Sequence, residues 1–254
     1  MPIDDLGHPV PLPQPPQRIC SLVPSLTEAL AATTPERLVG ATDWCTHPAD
    51  LDVRGVRRVR GTKNPNLDSI RALRPDLVVA NQEENRELDV QRLRDSGIAV
   101  WVTRIESLAD AFHSIGRLCT EGLGVGIPDW LRAAEQAWAA PSPDRGTAVV
   151  PIWKNPWMVV GEATFTADLL TRLGVRLLVP GPGRYPAAEL SDLHALRPDR
   201  VLLPDEPYAF GPADGPEDFP QPTVCLSGRA LTWYGPSLIT ARAELEQRLD
   251  ASHS

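Results

Sequence analysis

Cysteine is scarce in this chain of 254 residues, and it is unpatterned. Cys20, Cys45, Cys119 and Cys225 form no CxxC pair and are too few to staple a scaffold, so reduced thiols are expected. Long apolar runs are missing as well: nothing approaches the ~20 residues that a helical membrane span needs. Basic excess is missing, since the formal net charge is −8, and a chain without a basic face is not a nucleic-acid binder. The common catalytic signatures are absent: there is no GxSxG, no HExxH, no GxGxxG after a strand and no P-loop. The first seventeen residues hold six prolines and two aspartates but neither the basic region nor the apolar core of a signal peptide, so the expected location is cytoplasmic.

What remains is an ordinary globular composition, 42% hydrophobic and 23% charged, with enough chain for one large or two small cores. Its most informative feature is an echo. Ala72-Leu73-Arg74-Pro75-Asp76 returns unchanged as Ala195-Leu196-Arg197-Pro198-Asp199. Each copy follows a helical spacing of leucine or isoleucine and precedes an apolar run, Leu77 to Ala80 or Val201 to Leu203. Both stretches read as helix, proline stop and buried strand, because the residue before proline is pushed out of the helical region. The echo predicts an α/β protein of two similar lobes with mainly parallel sheets, joined by a long helical connector, with a ligand cleft between the lobes. The expected segments are a Pro-rich arm (1–17), an N-terminal lobe (18–106), the connector (107–145) and a C-terminal lobe (146–254). Within the connector, Gly122, Gly124 and Gly126 are placed to interrupt the helix. At the first strand, Ser25 and Glu28 have the spacing of a capping box.

In open α/β sheets ligands bind beyond the carboxyl ends of the strands. The aromatic residues gather in the loops there: Trp44, Trp153, Trp157, Tyr185, Tyr208, Trp233 and Tyr234. Such rings suit a large, flat, partly apolar ligand; singly, each reads first as a loop-packing residue, and their collective placement is the argument. Polar groups fall in the same loops. Glu83, Glu84 and Arg86 form the densest cluster, with Lys63, Asn64, Lys154 and Glu206 at other strand ends. This cluster reads either as ligand contacts or as the acidic first turn of a solvated helix. Cys45 and His47 are two metal-ligand types in three residues, short of a closed tetrahedral site.

Several segments carry a resemblance: Ser21-Leu22-Val23-Pro24-Ser25-Leu26-Thr27-Glu28, Gly61-Thr62-Lys63-Asn64-Pro65-Asn66 with Leu73 to Ala80, and Trp233-Tyr234-Gly235. In these, and over almost the whole chain, it resembles the helical-backbone metal receptor superfamily, the class III substrate-binding proteins of ABC transporters. That superfamily includes vitamin B12-binding and ferric-siderophore-binding proteins. Trp44 and Tyr185 fall where the cobalamin-binding branch carries aromatics, whereas Thr62 falls where that branch has another Trp. Asn81 to Arg86 and Trp153 to Trp157 look more like a leaderless subgroup. The resemblance implies a small-molecule ligand, a corrinoid or other metal chelate, and no covalent cofactor. It also implies an ABC-transporter or other protein partner, met in exported members through one acid on each lobe; Asp68 and either Glu189 or Asp192 hold similar places. Two other readings stand beside it: an enzyme on the same fold using Glu83 or Glu84, and a sensor that passes ligand occupancy to a partner.

Overall fold

The apolar run at Leu77 forms the centre of the first sheet. In the computed structural model, which describes residues 1–251, the fully buried strand Leu77–Asn81 pairs in parallel with Ile19–Ser21 and with Val100–Thr103. Leu38–Ala41 and then Arg57–Arg58 extend the sheet beyond Ile19–Ser21, again in parallel. A strand covered on both faces is apolar throughout rather than alternating, which is why Leu77, Val78, Val79 and Ala80 stand together. Helices Pro24–Thr33, Leu67–Ala72 and Glu87–Asp95 lie in the crossovers. Strand order reverses between Ile19–Ser21 and Leu77–Asn81. The loops after these two strands therefore part from each other, and the space between them is where such sheets take ligands.

The second sheet repeats the plan. Arg200–Pro204, also fully buried, lies between Thr147–Val149 and Thr223–Leu226, with Arg176–Leu177 outermost, all parallel. The apolar stretch from Ala148 to Trp153 reads as one strand in sequence, but it is two. After Val149 the chain leaves this sheet, and Pro151–Trp153 joins Trp157–Val159 and Ala187–Ala188 in a separate antiparallel sheet. The chain forms two compact units. One comprises Met1–Ile105, Ala109–Arg132 and Tyr234–Pro236; the other comprises Glu106–Leu108, Ala133–Trp233 and the residues from Ser237 onward. Each has its own core: Cys20, Leu22, Val78, Ala80, Val100 and Val102 in the first, and Val149, Trp157, Val201, Leu203, Phe210 and Phe219 in the second.

The echoed pentapeptide does the same mechanical task twice. Each helix ends with Arg in the left-handed region, Arg74 at φ 47° and Arg197 at φ 48°, the usual closing conformation one residue past a helix cap. Proline then prevents continuation, and the aspartate clamps the neighbouring strand. Asp76 Oδ2 accepts from the backbone N–H groups of Gln17 and Arg18 (2.8 and 2.9 Å). Asp199 Oδ2 accepts from the N–H and hydroxyl of Thr147 (2.7 and 2.8 Å), which holds its carboxyl below the usual carboxylate range. The repeat thus ties the central strand of each sheet to the strand beside it.

Between Leu108 and Ala137 the helical course is broken. Leu108–Arg117 runs into a wider π turn over Leu118–Gly122, where Leu123 N–H reaches back to Leu118 O (2.8 Å). The helix stops there, with Gly124 at φ 66°, and resumes over Asp129–Ala137. The Pro-rich N-terminal residues dock on the outermost strand of the first sheet. Asp4, 2% exposed, accepts from Arg94 (2.7 Å) and from the N–H of Val102 (3.3 Å), and Asp5 pairs with Arg117 (2.9 Å). An otherwise open strand edge is thereby covered. Asn66 and Thr164 cap their helices, accepting from Ser69 N–H and Ala167 N–H. The capping box does not form. The first helix begins two residues earlier, with Val23 as N-cap and Pro24 in its first turn, which leaves Ser25 and Glu28 buried inside the helix. Among the described residues no helix is long and apolar enough to cross a membrane.

Candidate functional site

In the first unit the loop after Leu38–Ala41 carries Trp44, an indole that is 66% exposed. It borders an open hollow of about 490 Å³ lined by Asp43, Trp44, Arg60, Gly61 and Asn64. Gly61, which the sequence marks only as part of the resemblance, seats the ring: a Cβ there would stand 3.2 Å from Trp44 Nε1 and 2.4 Å from Asn64 Oδ1. Cys45, next to Trp44, turns inward. Its sulfur receives the Thr27 hydroxyl (3.0 Å) and lies 3.1 Å from that of Thr42, and burial pushes the thiol pKa up. His47 is half-buried, with Nδ1 3.0 Å from the Thr46 hydroxyl. Among the described residues no group of three or more His, Cys, Asp or Glu is arranged to hold a metal ion.

The polar run after Leu77–Asn81 is organised by two buried amides. Asn81 Oδ1 accepts from the N–H groups of Glu83 and Glu84 (2.8 and 3.3 Å), and its Nδ2 donates to Thr103 (3.1 Å). Asn85 donates to the carbonyls of Leu22 and Thr62 (3.2 and 3.0 Å) and accepts from Asn81 N–H (2.9 Å). These two side chains lace the loops beside the strand-order reversal and fix where Glu83 and Glu84 project. Lys63 donates to the Glu83 carbonyl, and Arg86 is exposed at the start of its helix. Tyr234, 6% exposed, donates to Glu84 Oε1 (3.1 Å). Burial first, and then the Glu84 charge, raise its phenol pKa, so it stays a protonated donor. The following Gly235 lies against Ser25 and Glu28, where a Cβ would be 2.8 Å from Ser25 O and 2.7 Å from Glu28 Oε2. The structure therefore brings Lys63, Glu83, Glu84 and Tyr234 together, and adds Glu28, which the sequence spacing had marked as a helix cap.

In the second unit the aromatics divide. Trp153 is 44% exposed and meets Tyr208 edge to face at 5.7 Å. Trp157 is 8% exposed, stacked on Phe210 at 6.0 Å and edge-on to Phe219 at 5.3 Å. Lys154 is surrounded by Asp214 (2.7 Å), Asp218 (2.7 Å) and Glu217 (3.2 Å), which push its pKa up and hold it charged. Tyr208 donates to Asp214 (2.7 Å). Lys154, Trp157 and Tyr208 thus stitch the Gly211–Pro222 loop to its sheet, and Tyr185 is half-buried in a loop of the same unit. Glu206 accepts from Trp233 Nε1 (2.8 Å), and Gly228 leaves it room, since a Cβ there would stand 2.3 Å from Glu206 Cγ.

Burial raises the Glu206 pKa above the ordinary carboxylate range, more than the Trp233 hydrogen bond lowers it. A carboxyl with a raised folded pKa contributes most when protonated, and that contribution is lost as pH rises through the folded value. Glu206→Gln keeps the acceptor and removes the charge. Its melting temperature should match the wild type at pH 4 and exceed it at pH 8; equal melting at both pH values would contradict the assignment.

No family model matches the chain. Over 251 residues it is 32% identical to a vitamin B12-binding protein of Pectobacterium carotovorum subsp. carotovorum (strain PC1), covering 93% of this chain and 89% of that one. Over 118 residues it is 34% identical to an uncharacterized ABC transporter substrate-binding lipoprotein, YvrC, of Bacillus subtilis (strain 168), covering 44% of this chain and 37% of that one. Among solved structures, the periplasmic heme-binding protein BhuT in complex with two hemes has a similar fold, with a TM-score of 0.75 at 22% identity over 93% of this chain and 99% of that one. The two α/β units with parallel sheets are the architecture of class III substrate-binding proteins. The chain belongs to the family of ABC-transporter substrate-binding proteins that includes the vitamin B12-binding proteins. Its function is that of a binding protein. The cytoplasmic location expected from the N-terminal residues is corrected by the same relatives. One is named a lipoprotein and another periplasmic, which points to a place outside the cytoplasm. Basic and apolar content in the first residues was too narrow a basis for that expectation.

Proposed function

We propose that the chain binds a corrinoid or a closely related flat metal chelate, and delivers it to an ABC transporter. The observation that carries this reading is the exposed Trp44 indole, seated on Gly61 beside an open hollow. A large apolar ring left in water beside a concavity gains by accepting another flat surface. The extended similarity to a vitamin B12-binding protein supports a corrinoid, and the fold shared with a heme-binding protein supports macrocyclic chelates as a class. Lys63, Asn64 and Arg86, all exposed in the same unit, are the polar contacts proposed beside Trp44. Trp153, Tyr185 and Glu206 are proposed for the second unit. For the transporter, Asp68 and Asp192 are exposed acids in the first turns of the two echoed helices, and Glu189 precedes the second.

The test is a titration of purified protein with cyanocobalamin, dicyanocobinamide, haemin and ferric siderophores, followed by tryptophan fluorescence and by ligand absorbance. Saturable quenching by at least one macrocycle is the expected result. No saturable response to any of them would end this reading.

A further inference from the structure

Arg60 stands on the rim of the Trp44 hollow in a backbone conformation that arginine adopts only against steric resistance. Its φ is 69°, in the left-handed region that suits glycine. Among the described residues three other non-glycine residues have positive φ, and each has a local reason. Arg74 and Arg197 close helices, and Asn155, at φ 62°, occupies the turn between two strands, where asparagine is common. Arg60 lies inside a ladder. Val59 N–H donates to Ala41 O (3.0 Å), the Arg60 carbonyl accepts from Asp43 N–H (2.9 Å), and Arg60 pairs with Pro65. This pairing imposes the conformation, but glycine would satisfy it without strain. Strain of this kind persists where a side chain is needed.

That side chain is exposed and makes no ion pair among the described residues. It shares its hollow with the Trp44 indole, with Asp43 and with the Asn64 amide. The next residue, Gly61, shows the opposite choice: its φ is ordinary, yet it lacks a side chain, because the indole and Asn64 lie against it. One position thus carries glycine to seat the ring, and its neighbour carries arginine where glycine would be easier. Asp43 lines the same hollow without forming an ion pair with Arg60. The planar fork of the guanidinium matches carboxylate and phosphate oxygens in pairs.

We propose that Arg60 is a specificity-determining residue of this hollow, pairing with a carboxylate or phosphate group on a ligand whose flat face rests on Trp44. The proposal rests on the binding function proposed above and narrows it to ligands that carry an anionic arm. Two matched pairs separate the sources of the anion. Cyanocobalamin has a phosphodiester that dicyanocobinamide lacks, and haemin has two carboxylates that its dimethyl ester lacks. Wild type, Arg60→Gly and Arg60→Lys are titrated with all four compounds, with the ester delivered in detergent micelles common to every titration.

The wild type should bind the charged member of at least one pair about tenfold more tightly, as expected for one charge-assisted bidentate contact. Preference in the cobalamin pair assigns a phosphate, and preference in the haemin pair a carboxylate. Arg60→Gly should bring that pair to within about twofold by losing affinity for the charged member alone, and Arg60→Lys should keep part of the preference. The melting temperature of Arg60→Gly should equal or exceed that of the wild type. If Arg60→Gly retains the discrimination, weakens both members alike, or melts well below the wild type, the role assigned to Arg60 is wrong while the binding function stands. If the wild type binds none of the four, both fall together.

Discussion

Trp157→Ala lowers the stability of the second unit by about 3–5 kcal/mol, the range for removing a large buried aromatic side chain. The indole is 8% exposed and lies in a ring cluster, parallel to Phe210 within 2° at 6.0 Å and crossed with Phe219 at 5.3 Å. The Lys154 ammonium stands 5.7 Å from its centroid, held by the acids of the Gly211–Pro222 loop. Deleting the ring therefore opens a cavity and also loosens a loop that rests on this cluster. The strand Trp157–Val159 pairs on both sides, so the backbone cannot easily collapse into the space. Urea unfolding followed by far-ultraviolet circular dichroism reads the effect as an early transition, and hydrogen exchange at Val201 to Leu203 assigns it to this unit. Trp157→Phe should recover more than half of the loss. A cost below about 1 kcal/mol, typical of a surface position, would show that the ring is not part of this core.

The contrast between Trp153 and Trp157 shows where the sequence stops being legible. Trp153 ends one apolar stretch and Trp157 begins the next, the same loop lies between them, and residue type alone makes both look like ligand walls. What separates them is register. Trp153 sits opposite Met158 across the antiparallel pair, so Trp157 points to the other face. A shift of one residue in the turn between them would exchange their roles, and Lys154-Asn155-Pro156 does not announce which turn it makes. The echo was legible for a different reason. Helix end, left-handed arginine, proline and strand-clamping aspartate are local devices, each fixed by residue chemistry within five positions, and they recur because each sheet needs the same tie. The capping box failed because a local rule met a tertiary one: the strand ends so close to the helix that Val23 becomes the cap and Ser25 is carried inside. Asn81 and Asn85 belong to the polar run that read either as ligand contacts or as the solvated start of a helix. They are buried, and their work is to present Glu83 and Glu84. The roles of Gly61 and Glu28 were hidden, since spacing marked Glu28 only as a helix cap and each matters through what a distant segment lays against it.

Trp44→Ala has the opposite signature to Trp157→Ala. The ring is 66% exposed, so removing it changes little that folding has gained, and the expected stability change is within about 0.5 kcal/mol. Its main-chain role survives, because Thr46 N–H donates to the Trp44 carbonyl (2.9 Å), a bond that does not involve the side chain. Ligand affinity is where the loss falls. Flat contact with a macrocycle through one indole face is worth about 2 kcal/mol, which is roughly a thirtyfold rise in Kd. Trp44→Phe should recover part of that affinity, since a smaller ring still offers a face. Gly61→Ala should weaken binding without removing any ring atom, because the added methyl meets both Asn64 and the indole and displaces the seat. Isothermal titration with the macrocycle that the wild type binds, alongside melting curves, separates the outcomes. Unchanged affinity in Trp44→Ala would make the exposed ring incidental and would move the ligand contact elsewhere in the chain. A fall in melting temperature matching the fall in affinity would make the ring a packing residue.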